Sequence, residues 1–350
     1  MKKLFYLLIG ILLTVDLSAQ DIHFSQYYNT PLQYNPALTG VFGGNHRVML
    51  AYRNQWMTVA TPYTTYGASF DMRMMEKRGG NFALGTGLGV YRDMAGDTKM
   101  GITNAILSLS GIIALNGKQH LMIGVSGGIE QRSIDASSQI WDSQYDEDQP
   151  EYYNPEAASG EITNYNTGFA GADINAGIAW VYSESVKRIV NDDNFSLKLG
   201  GYYQHITSQT LKYGDTPDAL FGKFSFQGES NISIKNSNTA FQPSLIYQRQ
   251  GPNQEILLGS SIRYKLGFDS KYTGLLKSSA LVIGLHGRWG DALIPAIGYE
   301  IPKWKIMFSY DANLSGLRAA SNSIGGFEIT LTFINPGAYQ VGKGHTSRFN

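Results

Sequence analysis

Strict every-other-residue alternation, sustained over segments of about ten to sixteen residues, is the feature that most restricts how this chain can fold. Between Lys303 and Asn313, Trp304, Ile306, Phe308, Tyr310 and Ala312 share one face of an extended strand. Lys303, Lys305, Met307, Ser309, Asp311 and Asn313 share the other. The same split puts Phe327, Ile329, Leu331 and Phe333 opposite Glu328, Thr330 and Thr332, and puts Tyr66, Ala68, Phe70, Met72 and Met74 opposite Thr65, Gly67, Ser69, Asp71 and Arg73. Leu121, Ile123, Val125 and Ile129 likewise oppose His120, Gly124, Ser126, Gly128 and Glu130. One face suits lipid or a dry core, and the other suits water.

Soluble sandwiches alternate too, so strand length and end chemistry must decide. Globular strands typically hold about 5 to 6 residues, and tilted membrane strands about 9 to 11. Aromatic residues gather near segment ends, at Tyr52, Trp56, Tyr63, Tyr91, Trp180, Tyr182, Trp289, Tyr299 and Trp304, as rings with one apolar and one wet edge do at a headgroup boundary. The expected fold is therefore all-β, a transmembrane antiparallel β-barrel of about fourteen strands, with a range of about 12 to 16. The segments run over residues 46–58, 63–75, 81–92, 100–115, 118–133, 170–183, 194–207, 225–236, 239–250, 253–266, 279–289, 291–300, 303–313 and 324–335. An even count leaves both termini on the periplasmic side, with the long connections 134–169 and 208–224 outside the cell. Gly and Ser enrich the inner face, as expected where side chains crowd a lumen.

Composition excludes several chemistries. The 28 Lys+Arg balance the 28 Asp+Glu, so no broad basic field exists to hold nucleic acid. With no cysteine, thiolate catalysis, Cys-ligated zinc, iron–sulfur clusters and disulfides are out. The six histidines follow no HExxH or paired-ligand spacing, and no Gly-x-Ser-x-Gly elbow is present. His120 and His286 read as lumen-lining groups. The expectation is no enzyme, no catalytic residue, no cofactor and no metal.

The first residues form a basic start (Lys2, Lys3), an apolar run from Leu4 to Val15 and the small pair Ser18–Ala19. That is a secretory signal, residues 1–19, cleaved before Gln20. Its apolar run of about twelve residues is shorter than the roughly 20 a helical span needs. No Cys follows the run, which closes the lipid-anchor route. Residues 20–45 do not alternate, but carry Phe24, Tyr27, Tyr28 and Tyr34 among prolines and amides. A solvated linker has little use for such rings, so a periplasmic segment ordered as a plug or rim of the barrel is expected. Residues 46–335 form the barrel and 336–350 a periplasmic tail.

The connection 133–168 interleaves acids and rings: Trp141, Asp142, Tyr145, Asp146, Glu147, Asp148, Tyr152 and Tyr153. The acids lack the glycine turn and terminal Glu of an EF-hand loop. A loop facing a protein or glycan partner fits the exposed rings better than a Ca2+ site does.

Several strings resemble the PorP/SprF family of outer-membrane proteins of the type IX secretion system. They are Asp21-Ile22-His23-Phe24-Ser25-Gln26-Tyr27, Asn35-Pro36-Ala37-Leu38-Thr39-Gly40, Tyr52-Arg53-Asn54-Gln55-Trp56, Ala95-Gly96-Asp97, Glu130-Gln131-Arg132-Ser133, Ser309-Tyr310-Asp311 and Gly325-Gly326-Phe327-Glu328. The tail Thr346-Ser347-Arg348-Phe349-Asn350 has Ser347 where family tails often have Pro. The resemblance implies an outer-membrane barrel supporting export or surface attachment of particular secreted proteins such as adhesins. Its implied partners are outer-membrane lipid, cargo and other secretion components, in bacteria that include gliding ones. A porin-like channel or hydrophobic-solute transporter is the alternative. Within the expected lumen, Arg53 and Gln55 of the first strand, with Asp71 and Arg73 of the second, form a candidate network in which Arg53 pairs with carboxylates of facing strands.

Overall fold

On the first wall strand Leu50 is 48 % exposed, while its neighbours Met49 and Ala51 are buried. This is the inverse of a water-soluble sheet and the rule for the whole wall. The computed structural model describes residues 21–58, 61–75, 81–135, 141–145, 154, 157, 168–185, 194–208, 210–213, 216–266, 279–316 and 318–335. Strands β1 (His46–Gln55), β2 (Tyr63–Met74), β3 (Phe82–Ala95), β4 (Met100–Ala114), β5 (Gln119–Ser133), β6 (Gly168–Ser185) and β7 (Asn194–Gln204) form one half of the wall. After a small separate hairpin, β8 (Thr210–Tyr213) with β9 (Thr216–Ala219), the wall continues. Its second half is β10 (Lys223–Ser233), β11 (Thr239–Gln250), β12 (Asn253–Lys265), β13 (Ala280–Arg288), β14 (Ala292–Ile301), β15 (Trp304–Asn313) and β16 (Ile324–Asn335). The last strand pairs with the first, closing a barrel of fourteen antiparallel strands. No helix among the described residues is long and apolar enough to cross a membrane.

Each of the fourteen alternating segments is a wall strand, with ends within three residues of the sequence expectation. The hairpin β8–β9 was not expected; its strands are four residues each, too short to reveal a period. Outside, apolar side chains are exposed around the circumference, among them Leu88, Leu107, Ile123, Ile178, Phe226, Ile262, Ile283, Ile297 and Ile306. Ring pairs flank this band toward both ends: Trp56 with Tyr63 at 4.9 Å and Trp304 with Phe333 at 4.7 Å between centroids.

The barrel has a loop end, where the connections between β5 and β6 and between β7 and β10 lie, and a turn end, where β1 begins and β16 finishes. Residues 21–44 do not stay at the turn end, beside the start of β1. Asp21 contacts Arg132, His205 and Lys223, all at the loop ends of their strands, whereas Asn45 bonds to Asn335 at the turn end. The segment therefore runs the length of the lumen. β1 starts and β16 stops at the same end of the wall, and Asp21 lies at the other.

Candidate functional site: the clamped lumen segment

Three short helical turns, Tyr27–Asn29, Pro31–Tyr34 and Pro36–Leu38, fold the lumen segment. Pro31 and Pro36 open the last two, where a missing N–H costs nothing and a fixed φ helps. Tyr34 staples the arms together: its hydroxyl accepts from the Phe24 N–H at 2.7 Å and donates to the Phe24 carbonyl at 3.2 Å.

Apolar contacts fill the space between segment and wall. Ile22 and Phe24 pack on Met49, Ala51, Tyr91 and Ile106. Tyr27 and Tyr34 pack on Tyr202, Ile246, Leu257 and Ile294, and Ala37, Leu38 and Val41 on Ala83, Ile112, Met122 and Val181. Each fully buried ring or branched side chain of this kind contributes about 1.5–3 kcal/mol.

At the loop end the wall grips with ionised groups. Glu328 accepts from the backbone N–H of Ser25 at 2.7 Å and of Gln26 at 3.0 Å. The Ser25 hydroxyl donates to Asp311 at 2.8 Å and accepts from Arg288 at 2.8 Å. Arg53, 1 % exposed, donates to the His23 carbonyl at 2.9 Å and to Asp311 at 3.0 Å, with Glu328 at 3.8 Å. Gln26 continues the lattice by donating to Ser309 and accepting from Thr330. Six wall groups on β1, β13, β15 and β16 thus converge on His23, Ser25 and Gln26. In this dry setting each charge is tolerable only because it is paired.

A second ionic cluster holds Asp21, which faces Lys223 at 3.3 Å, Arg132 at 3.6 Å and His205 Nε2 at 2.8 Å. His205 Nδ1 meets Asp173 at 3.0 Å. Both ring nitrogens therefore face carboxylate oxygens, which only accept, so both carry protons. Burial alone would lower the His205 pKa, but the bonds to Asp173 and Asp21 raise it to about 9. Burial would raise Asp21, and Lys223 with His205 and Arg132 overrides it, holding the carboxyl well below the usual range. Glu130, Asp173 and His205 place donor atoms within 4.8 Å of one another. The imidazole has no lone pair left for a metal in this arrangement.

At the turn end the grip is on backbone shape. A Cβ on Gly124 would run into the backbone of Pro36 and Ala37, one on Gly85 into the Thr39 carbonyl, and one on Gly177 into the Asn35 side chain. These inner-face glycines let the segment's main chain press onto the wall. Asp71 accepts from the Gly40 N–H at 2.8 Å and binds Arg47 through two bonds of 2.9 and 2.7 Å. Arg73 donates to the carbonyls of Gly40, Phe42 and Gly44.

The four residues grouped as one lumen network fall into two places. Register puts Arg53 opposite Glu328 and Asp71 opposite Arg47, so Asp71 is not a partner of Arg53. Asp71 and Arg73 belong to the turn-end grip, and Gln55 ends β1 half-buried against Gly326. Of the expected partner loop, Trp141 is half-buried and Tyr145 is 39 % exposed. The Asp142 side chain and residues Asp146, Glu147, Asp148, Tyr152 and Tyr153 lie outside the described residues. His120 and His286 are buried on the inner face, His286 stacked on Tyr28 at 5.3 Å. Sequence reasoning missed Asp21, Arg132, Asp173, His205, Lys223, Arg288, Asp311 and Glu328 as interacting groups. Four of these eight lie within the strings quoted above, and those strings meet on the lumen segment.

The chain is similar to several solved barrels. It is 10 % identical to BamA from Haemophilus ducreyi lacking POTRA domains 1–3, covering 83 % of this chain and 70 % of that one at a TM-score of 0.42. It is 12 % identical to the CymD monoaromatic hydrocarbon channel, covering 92 % and 96 % at 0.43, and 10 % identical to a Pseudomonas aeruginosa FadL homologue, covering 87 % and 94 % at 0.42. At such scores the barrel rests on this chain's own strand register. No curated protein matches. The family model described as "Type IX secretion system membrane protein PorP/SprF" matches residues 16–333, nearly all of the wall and the whole clamped segment. The chain belongs to the PorP/SprF family of type IX secretion system membrane proteins.

Proposed function

We propose that this protein is a non-enzymatic outer-membrane component of the type IX secretion system that supports export or surface attachment of specific secreted proteins, adhesins among them, through its loop end. The observation that carries this reading is the lumen segment, residues 21–42, whose side chains are nearly all buried between the walls of a closed barrel. A barrel of this strand number falls between the small filled barrels of about 8 strands and the aqueous pores of about 16–18. With its interior clamped at both ends, it acts by what its loops hold rather than by what passes through. The exposed Tyr145 and the acidic, ring-bearing sequence around it make the β5–β6 connection the docking loop.

Under this reading, lipid contacts the outer apolar band, cargo meets the loop end, other secretion components meet the turn end, and nucleic acid has no part. Deleting the gene is expected to abolish surface display of one or a few proteins while leaving small-solute permeability unchanged. Large, stable conductance from the purified barrel in planar bilayers would overturn the reading in favour of a channel. Capture from intact membranes with residues 134–167 present or deleted tests the loop: loss of one dominant surface protein is expected.

A further inference from the structure

We propose that Arg132, His205 and Lys223 form a carboxylate-binding site at the loop end, which the chain fills with its own Asp21 and which takes a carboxylate of an acidic peptide when the first residues of the lumen segment withdraw.

The site is held ready by the wall. Glu130 accepts from Arg132 at 2.8 Å, and Asp173 orients the His205 ring while itself accepting from Asn175 at 3.0 Å. Asn175 also accepts from the His205 backbone N–H at 2.9 Å and donates to Ser126 at 3.2 Å. Cations positioned in this way are organised before any ligand arrives. Lys223 supplies the independent observation. It is only 5 % exposed, and among the described residues Asp21 is the one carboxylate within ion-pair distance of it. Without Asp21, Arg132 still has Glu130 and the His205 ring still has Asp173, but Lys223 keeps no carboxylate among the described residues within ion-pair distance. A buried lysine left in that state demands an anion.

A small crevice is lined by Asp21, His23, Lys223, Gln248, Gln250 and Glu255, so a ligand reaches the lysine from the mouth without crossing the wall. Three donors of fixed direction select a carboxylate over a spherical anion such as chloride. The proposal does not depend on which secreted proteins the loops hold.

The test uses the full-length protein purified in detergent. Asp21→Ala is expected to lower the thermal midpoint, and sodium formate to raise it again by about 2–4 °C, saturably and beyond sodium chloride at equal ionic strength. Wild type and the double variant Asp21→Ala/Lys223→Ala are expected to respond to formate no more than to chloride. If Asp21→Ala does not fold, the near-isosteric Asp21→Asn serves instead. Formate acting no better than chloride on the single variant, or equally on the double variant, overturns the site. Exchange is read separately on an otherwise wild-type protein carrying Ser25→Cys. Tetraglutamate is expected to speed thiol labelling there relative to tetraglutamine, and equal rates overturn the exchange with a peptide.

Discussion

The two ends of the lumen segment are held by different physics. From Asp21 to Gln26 the wall reads charge and hydrogen-bond direction: Glu328, Asp311, Arg288 and Arg53 converge on His23 to Gln26, while Arg132, His205 and Lys223 converge on Asp21. From Asn35 to Phe42 the wall reads shape, with Gly85, Gly124 and Gly177 making room for the main chain, and Asp71 and Arg73 meeting its N–H and carbonyl groups. An ionic grip responds to pH and to single charge removals, whereas a steric grip responds to added volume. The difference predicts that the loop end lets go before the turn end does.

Because the chain has no cysteine, single introduced thiols at Ser25 and Thr39 report on the two halves separately. The largest effect is expected from Arg53→Ala, which leaves Asp311 and Glu328 buried without their shared guanidinium, at a cost of about 3–5 kcal/mol. The Ser25 thiol should become reactive while the Thr39 thiol stays protected. Equal exposure at both positions would erase the distinction between the halves. Gly124→Val should do the converse at about 1–3 kcal/mol, exposing Thr39 and sparing Ser25, as read by the same labelling and by thermal unfolding. Ser25→Ala, tested with a thiol at His23 instead, removes a hydroxyl bonded to two charged groups. A loss of about 1.5–3 kcal/mol at most is expected, confined to the loop end.

The pH response sharpens the comparison with the smallest effect. The His205 pKa is raised in the fold, so the stabilisation it contributes is complete below its ordinary 6.5 and is lost as pH rises through about 9. Protection at the loop end should therefore decline between about 6.5 and about 9 in the native protein, and His205→Asn should flatten that decline. A wild-type profile level across this window would sink the assignment of a doubly protonated imidazole bridging Asp21 and Asp173.

Much of the wall was legible in the amino-acid sequence because its code is local. An outward Ile306 and an inward Met307 are adjacent residues, and a period of two needs no knowledge of which strand lies beside which. Aromatic placement and segment length then separated a lipid-facing barrel from a sandwich. The buried networks were not legible in the same way. Ser25 meets Glu328 across an interval of 303 residues, and nothing in either neighbourhood specifies that meeting. Asp71 illustrates the point: it lies on the strand next to Arg53, and the sequence alone groups the two. The antiparallel register of β1 and β2 instead sets it opposite Arg47, six residues away along the strand.

What the sequence determined alone is the material of the cylinder: fourteen alternating strands, a glycine-rich inner face, and a non-alternating stretch whose rings had to be buried somewhere. What only the tertiary structure decided is where that stretch goes and what holds it. Closing β16 onto β1 brings Glu328 opposite Arg53, and only then does the interior acquire charges in the right places to draw residues 21–26 to the loop end. Alternation is set by the geometry of a single strand, whereas ion pairs inside a barrel depend on strand order, register and closure, which belong to the whole chain at once.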